Sequence, residues 1–265
     1  MREKLVSGNG GVAMTERSRG FNVEGESQEA SSALRNTARL TGVWYLGLAI
    51  AGLFGFFLIR PQIYVADDPA ATLANLVDRE GLARIGLGFE LAIVLTQALA
   101  AVWFYKLFRS LNDAAAFALA VFGLVNAMAI LASAAFMATA LTVAGDARLA
   151  PGGDAAATVQ LMYQLSSNLW GVGAVFFGLW LIPMGYIAAS SGSMPKWLGR
   201  ILIVGGSGYL LSAFVSYGIA DAPAWLVAAL PIPATIGEFW MIGYLLTKGI
   251  RDLPAGTKSA TPQHD

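Results

Sequence analysis

Six long apolar segments, separated by short polar stretches, follow one another between residues 38 and 248. A helix rises about 1.5 Å per residue, so about 20 apolar residues cross the ~30 Å hydrocarbon core of a membrane. Each segment reaches that length, and we therefore predict six transmembrane helices. Their predicted ranges are 38–59, 82–108, 114–143, 155–188, 197–219 and 223–248. In the sixth, Pro231 and Pro233 predict a break near the start, because proline lacks the helical N–H.

The polar stretches at both ends of the chain predict tails outside the membrane. Residues 1–33 and 253–265 contain no sustained apolar run. Such segments cannot bury enough apolar surface to offset the entropy of ordering them. We therefore predict a six-helix transmembrane domain at 34–252, with a disordered cytoplasmic tail on each side of it.

The first connecting loop predicts a short helix. Asp68 precedes Pro69 as a helix N-cap precedes a proline in the first turn. Leu73, Leu76 and Val77 then share one face, which is typical of an amphipathic helix lying on a membrane surface. The predicted fold class is thus all-α, a six-helix transmembrane bundle with a short amphipathic helix in the first outer loop.

Composition supports a membrane protein and excludes several kinds of site. Hydrophobic residues make up 56% of the chain and charged residues 13%, against about 25% charged residues in soluble domains. The formal net charge is zero, so no field attracts nucleic acid. Cysteine is absent and the single histidine is His264. We therefore expect no nucleic-acid partner, no metal site and no cofactor.

The distribution of Lys and Arg predicts the orientation. If the N-terminus is cytoplasmic, the inner segments carry 13 of these residues and the outer segments carry four. Cytoplasmic loops are enriched in Lys and Arg. The expected location is a bacterial inner membrane, with a multi-pass chain and both termini in the cytoplasm.

Two glutamates fall within predicted spans. Glu90 lies about 9 Å beyond Arg84 along the second helix, and Glu238 lies about 15 Å before Lys248 in the sixth. The sequence shows no Lys, Arg or His at matching depth. An ionisable group at such depth faces the bundle interior and marks a site, or it serves as a neutral, hydrogen-bonded strut. Both interpretations stay open for each glutamate.

Amide side chains extend this set. On the fourth helix, Gln164 and Asn168 share one face with Gln160, Ser167 and Gly171. Such stripes line a polar cavity or form hydrogen bonds between helices. A neutral Glu238 would find a partner among Asn168, Gln164 and Gln97. The candidate intramembrane polar site therefore comprises the following residues: Glu238, Glu90, Gln97, Gln164 and Asn168.

Several short motifs follow one another along the chain: Arg35, Thr37–Arg39, Gly42, Tyr45 and Leu46; Ala70–Thr72 and Asn75; Arg84 and Gly86; Pro183, Gly185 and Tyr186; Pro195, Leu198 and Gly199; Gly206 and Tyr209; and Ile236–Glu238, Leu245, Leu246, Lys248 and Gly249. Together they resemble the bacterial membrane proteins known as domain of unknown function 4386. The order of this set is more specific than any one motif. The resemblance covers residues 34–252 and implies a helical membrane fold, without implying a reaction. Glu90 lies outside these motifs.

Three functions compete at this point. The absence of a chemical motif favours a non-enzymatic accessory or sensory membrane component. A proton-coupled carrier or small transporter around Glu238 is the alternative, because broken helices line transporter sites. An intramembrane enzyme is the least supported, since carboxylate catalysis needs a second placed carboxyl group or a metal. Expected partners are membrane lipid, a membrane protein or second copy, and a small-molecule or proton substrate.

Orientation can be tested in this naturally cysteine-free chain. We expect an impermeant thiol reagent, applied to intact cells, to label a cysteine that replaces Arg148 and to spare one that replaces Lys196. Arg148 belongs to an outer loop and Lys196 to an inner one under the charge rule. Labelling of the second variant, without labelling of the first, would reverse the predicted topology.

Overall fold

The computed structural model describes the backbone of residues 10–250 and the side chains of residues 28, 29 and 31–250. The described chain is helical and contains no strand. Its helices are α1 (Gly10–Gly52), α2 (Arg60–Ile63), α3 (Pro69–Asp78), α4 (Glu80–Phe108), α5 (Asp113–Gly145), α6 (Ala155–Ser190), α7 (Lys196–Gly218), α8 (Ala224–Ala229) and α9 (Ile232–Thr247). A π-helical segment, Leu53–Ile59, joins α1 to α2 without interruption.

Six helical runs are long and apolar enough to cross a membrane, which confirms the predicted number. The first span, Ser31–Ile63, comprises the end of α1, the π segment and α2. Helices α4 to α7 form the next four spans, and α8 with α9 forms the sixth. The break between α8 and α9 falls at Leu230 and Pro231, as predicted from the prolines.

The short helix in the first loop is confirmed as α3. The Asp68 carboxylate accepts a hydrogen bond of 2.8 Å from the backbone N–H of Ala71, so it caps the helix N-terminus. Thr72 and Leu76 are buried on the inner face, while Val77 remains exposed. Helix α3 packs mainly against α6 and covers one end of the bundle.

The N-terminal boundary differs from the prediction. Helix α1 begins at Gly10, so residues 10–33, which composition predicts as disordered, are helical. The helix can extend toward the N-terminus because no proline before Pro61 interrupts it. Each residue added to a helix that the first span has nucleated gains one backbone hydrogen bond. Residues 1–9 and 251–265, which hold the rest of both predicted tails, lie outside the described residues.

The six spans form a closed ring. Each span packs against the next one in the sequence, and α9 returns to pack against α1. The centre is filled by aromatic side chains: Trp180 is 0% exposed and its ring lies near those of Tyr45 and Phe104, at 5.9 Å and 6.0 Å. Gly123 admits this indole, because a Cβ there would lie 2.5 Å from Trp180 Cε3.

The two ends of the bundle differ in the segments they carry. We call the end with α3 and the loop at 146–154 the loop end, and the end from which the chain leads to both termini the tail end. The first span, α4, α5 and α6 pack around the polar residues of the loop-end half. Helices α6, α7 and α9 pack together in the other part of the ring.

Candidate functional site

The structure distributes the five predicted residues over separate places. Glu90 bonds to Ser133 and Trp170, and Gln97 bonds to Asn126. Gln164 meets Tyr64, Asn168 meets Tyr217, and Glu238 meets Tyr45. The five residues therefore do not surround one common cavity.

Glu90 forms a buried ion pair with Arg60. Arg60 Nη1 lies 3.6 Å from Glu90 Oε1, and the two side chains are 8% and 3% exposed. The sequence-based expectation that no cation lies at the depth of Glu90 was wrong. It failed because Arg60 was assigned to the membrane boundary, whereas its side chain extends back into the bundle.

The π segment turns Arg60 inward. The N–H of Arg60 donates to the carbonyl of Gly55, five residues back, instead of to that of Phe56. Arg60 therefore stands above Gly55, which is buried against α4: a Cβ at Gly55 would lie 2.8 Å from Phe89 Cβ. Since Phe89 precedes Glu90, this alignment brings the guanidinium to the carboxylate. Single π turns of this kind are frequent at functional sites.

Serine and tryptophan side chains complete the network around the pair. Glu90 Oε1 accepts from Ser133 Oγ and from Trp170 Nε1, both at 2.8 Å. Arg60 Nη2 donates to Ser166 Oγ at 3.0 Å and to Ser167 Oγ at 2.9 Å. A hydrogen bond of 2.7 Å between Ser133 Oγ and Ser166 Oγ connects the contacts of Glu90 with those of Arg60. The network thus joins the first span, α4, α5 and α6.

A thioether and two aromatic rings surround the Arg60 guanidinium. Arg60 Cζ lies 5.6 Å from the ring centroid of Phe56 and 5.8 Å from that of Tyr163. Arg60 Nη1 also points at Met137 Sδ, at 3.7 Å. Cations are attracted to aromatic faces at such distances, most strongly when water is excluded. The charge of Arg60 is therefore held by a carboxylate, two hydroxyls and two rings.

Gln97 and Asn126 form a second buried contact between α4 and α5. Asn126 Nδ2 donates to Gln97 Oε1 at 3.1 Å. Gln97 is 0% exposed, and its Nε2 has no hydrogen-bond partner among the described residues. A buried donor without a partner costs free energy, so this contact is less completely satisfied than the network around Arg60.

Gln164 and Asn168 lie on the exposed face of α6. Tyr64 donates to Gln164 Oε1 at 3.1 Å, and the Tyr64 ring stacks on that of Tyr163 at 5.4 Å. Tyr217 of α7 contacts the Asn168 carbonyl and Oδ1, each at 3.4 Å. These amides bridge α6 to its neighbours at the bundle surface.

Glu238 has a partner that the sequence did not indicate. Tyr45 donates from its hydroxyl to Glu238 Oε1 at 2.7 Å, so the carboxyl group of α9 is tied to the first span. Gln97, Gln164 and Asn168, the partners expected from depth, make their bonds elsewhere. Tyr45 is 1% exposed, whereas Glu238 is only partly buried.

The two glutamates therefore act in different surroundings. No described residue bonds to both carboxyl groups. No group of three His, Cys, Asp or Glu side chains within the described part of the chain is arranged to hold a metal ion. The arrangement can tie helices together through charge and hydrogen bonds, and at Glu238 it can hold a proton.

The family profile described as "Domain of unknown function (DUF4386)" matches residues 40–249. The chain belongs to the DUF4386 family. This confirms the resemblance, and the matched region contains Arg60, Glu90 and Glu238.

One curated relative matches a shorter stretch. An uncharacterized protein of Archaeoglobus fulgidus is 35% identical over 46 residues, which cover 17% of this DUF4386 chain and 28% of that protein. The chain thus spans little more than a quarter of that relative's length. No solved structure matches the chain.

Arg60 is the functional candidate that sequence reasoning missed. Its hydropathy context places it at a helix end, and a π turn leaves no simple periodic signal. The available signal was indirect: an isolated glutamate at membrane depth requires a partner. Arg60 directly follows the first predicted span, 38–59, and its side chain is long enough to reach into the bundle.

We expect Glu90→Gln to destabilise the protein by about 3–5 kcal/mol, because it leaves the Arg60 charge buried without a counter-charge. The amide keeps the size of the side chain, so no cavity contributes. The measurement is the free energy of unfolding in detergent micelles.

Glu80→Gln is the matched control. It breaks the Arg84–Glu80 pair, whose side chains are 68% and 57% exposed, and such pairs contribute about 1 kcal/mol at most. Equal losses in the two variants would show that burial of the Arg60–Glu90 pair is unimportant for stability.

Proposed function

We propose that this DUF4386 protein is a non-enzymatic component of the bacterial inner membrane with an accessory or sensory role. The observation that supports the proposal is that the polar groups of the network around Arg60 and Glu90 bond to one another. Arg60, Glu90, Ser133, Ser166 and Trp170 satisfy one another inside the protein. A network engaged in this way holds four spans together.

The separation of the carboxyl groups also supports a non-enzymatic role. Acid–base catalysis by carboxylates uses two groups that flank the same bond. Glu90 is held by Arg60, one hydroxyl group and an indole N–H, and Glu238 is held by Tyr45, on a different pair of spans. Among the residues whose side chains are described, neither glutamate thus contacts the second carboxyl group that such a mechanism requires.

The charge distribution supports the proposed orientation. Among residues 28–250, the tail end carries seven Lys and Arg residues and two acidic ones, Glu29 and Asp113. The loop-end surface carries three arginines and seven acidic residues. Because Lys and Arg are retained on the cytoplasmic side, the tail end with both termini belongs in the cytoplasm under this proposal.

A proton-coupled carrier is the second candidate, and one observation favours it. Glu238 forms no ion pair with a described residue and bonds to a neutral hydroxyl, that of Tyr45. It lies seven residues after Pro231, where the sixth span breaks, and broken helices line the sites of many transporters. A carboxyl group so placed can gain and lose a proton within the bundle.

Proteoliposomes loaded with a pH-sensitive dye distinguish the two candidates. After an external pH step, we expect liposomes with the wild-type protein to equilibrate as slowly as protein-free liposomes. The physical reason is that the carboxyl groups serve as fixed contacts between spans.

Two variants make the result specific. Rapid proton entry that Glu238→Gln abolishes, and that the exposed-carboxylate variant Glu80→Gln retains, would overturn the accessory role and establish the carrier. Proton entry that neither variant alters would assign transport to another part of the protein, and it would contradict both candidates.

A further inference from the structure

The tail end of the bundle presents a cationic surface. Its seven basic residues are exposed and stand where the spans begin or end: Arg35, Arg39, Lys106, Arg109, Lys196, Arg200 and Lys248. They lie within or directly beside the first span, α4, α7 and α9, so they follow the part of the ring that these four spans form. We call these seven residues the tail-end cations.

None of the tail-end cations forms an ion pair with a described residue. At the loop end, two of the three surface arginines form ion pairs. Arg84 pairs with Glu80 at 2.6 Å, and Arg148 pairs with Asp146 at 2.8 Å. The hydrogen bond from the Arg148 side chain lowers the pKa of the Asp146 carboxyl group. Two of the three surface arginines at the loop end are therefore paired within the protein, whereas no tail-end cation is paired with a described carboxylate.

Two tail-end cations are positioned by tryptophans. Lys106 Nζ lies 4.4 Å from the ring centroid of Trp103, and Arg200 Cζ lies 4.7 Å from that of Trp197. Tryptophan is enriched at the level of lipid headgroups, and Trp197 is 68% exposed. The stacked cations are thus held at the boundary between hydrocarbon and water, where phosphate groups of lipids lie.

The two stacked pairs occupy different parts of the perimeter. Helix α4 packs against the first span and α5, whereas α7 packs against α6 and α9. The rest of the chain does not supply an excess of acidic groups. Residues 1–27 and 251–265 together carry six basic and six acidic side chains. A counter-charge for the tail-end cations must therefore come largely from outside the chain.

We propose that the tail-end cations bind the headgroups of anionic phospholipids, with the Lys106–Trp103 and Arg200–Trp197 pairs as two of the contact points. A basic side chain near an anionic leaflet gains electrostatic free energy, and a cluster of such residues beside membrane spans recognises anionic lipid. This interaction requires the membrane location and is independent of the accessory or carrier role.

Native mass spectrometry of the full-length protein tests the proposal. The protein, in neutral detergent, receives equal amounts of phosphatidylglycerol and phosphatidylcholine, and the ratio of bound lipids is measured. We expect the wild-type protein to retain more phosphatidylglycerol. Lys106→Gln with Arg200→Gln should lower this preference about fivefold for each cation, since one such residue contributes about 1 kcal/mol.

Two control pairs separate this surface from general charge and from folding. Lys106→Arg with Arg200→Lys keeps both charges and should keep the preference. Arg84→Gln with Arg148→Gln removes two loop-end arginines that already have partners and should also keep it. An equal loss in the loop-end pair, or equal binding of both lipids by the wild type, would overturn the proposal.

A salt titration of the wild-type protein gives a second test that needs no variant. Exposed charges are screened within about 8 Å at physiological ionic strength and within about 3 Å at 1 M. The preference for phosphatidylglycerol should therefore fall as salt rises. A preference that salt leaves unchanged would show that the lipids are selected by their apolar contacts, which contradicts binding through the tail-end cations.

Discussion

Hydrocarbon offers no hydrogen-bond partner, so each polar group carried into the membrane must find its partner within the protein. In this chain that constraint is met most completely around the ion pair of Arg60 and Glu90. Ser133, Ser166, Ser167 and Trp170 supply the further hydrogen bonds of the pair. The first span, α4, α5 and α6 each contribute to this network, and their mutual packing on the loop-end side accommodates it.

Backbone geometry makes the pairing possible. A regular helix would align Arg60 above Phe56, whereas the π segment aligns it above Gly55, where the first span meets α4 closely. A similar use of small residues recurs farther along the ring. A Cβ at Gly178 would lie 2.6 Å from the Gly206 carbonyl oxygen, so α6 and α7 approach at backbone contact. Glycine and the extra residue of the π turn together determine which side chains face one another.

The sequence was sufficient for the features that depend on local or periodic signals. Span length follows from hydropathy, the α3 cap from Asp68, and the break in the sixth span from Pro231. Contacts between distant spans could not be predicted from the sequence. The depth of a residue in the membrane does not give the direction in which its side chain points around the helix axis. Glu90 was therefore singled out from its depth, while its partner, Arg60, was missed. Glu238 was likewise singled out, but its bond to Tyr45 depends on α9 returning to α1 to close the ring.

The central claim is that Arg60 and Glu90 stabilise the fold as a pair rather than separately, and a double-mutant cycle measures this directly. The cycle compares unfolding free energies in detergent for wild type, Arg60→Gln, Glu90→Gln and the double variant. Each single change leaves one buried charge uncompensated, whereas the double change removes both. We predict a coupling energy of about 2 kcal/mol, with the double variant more stable than the sum of the single effects implies. Effects that add to within about 0.5 kcal/mol would contradict the claim.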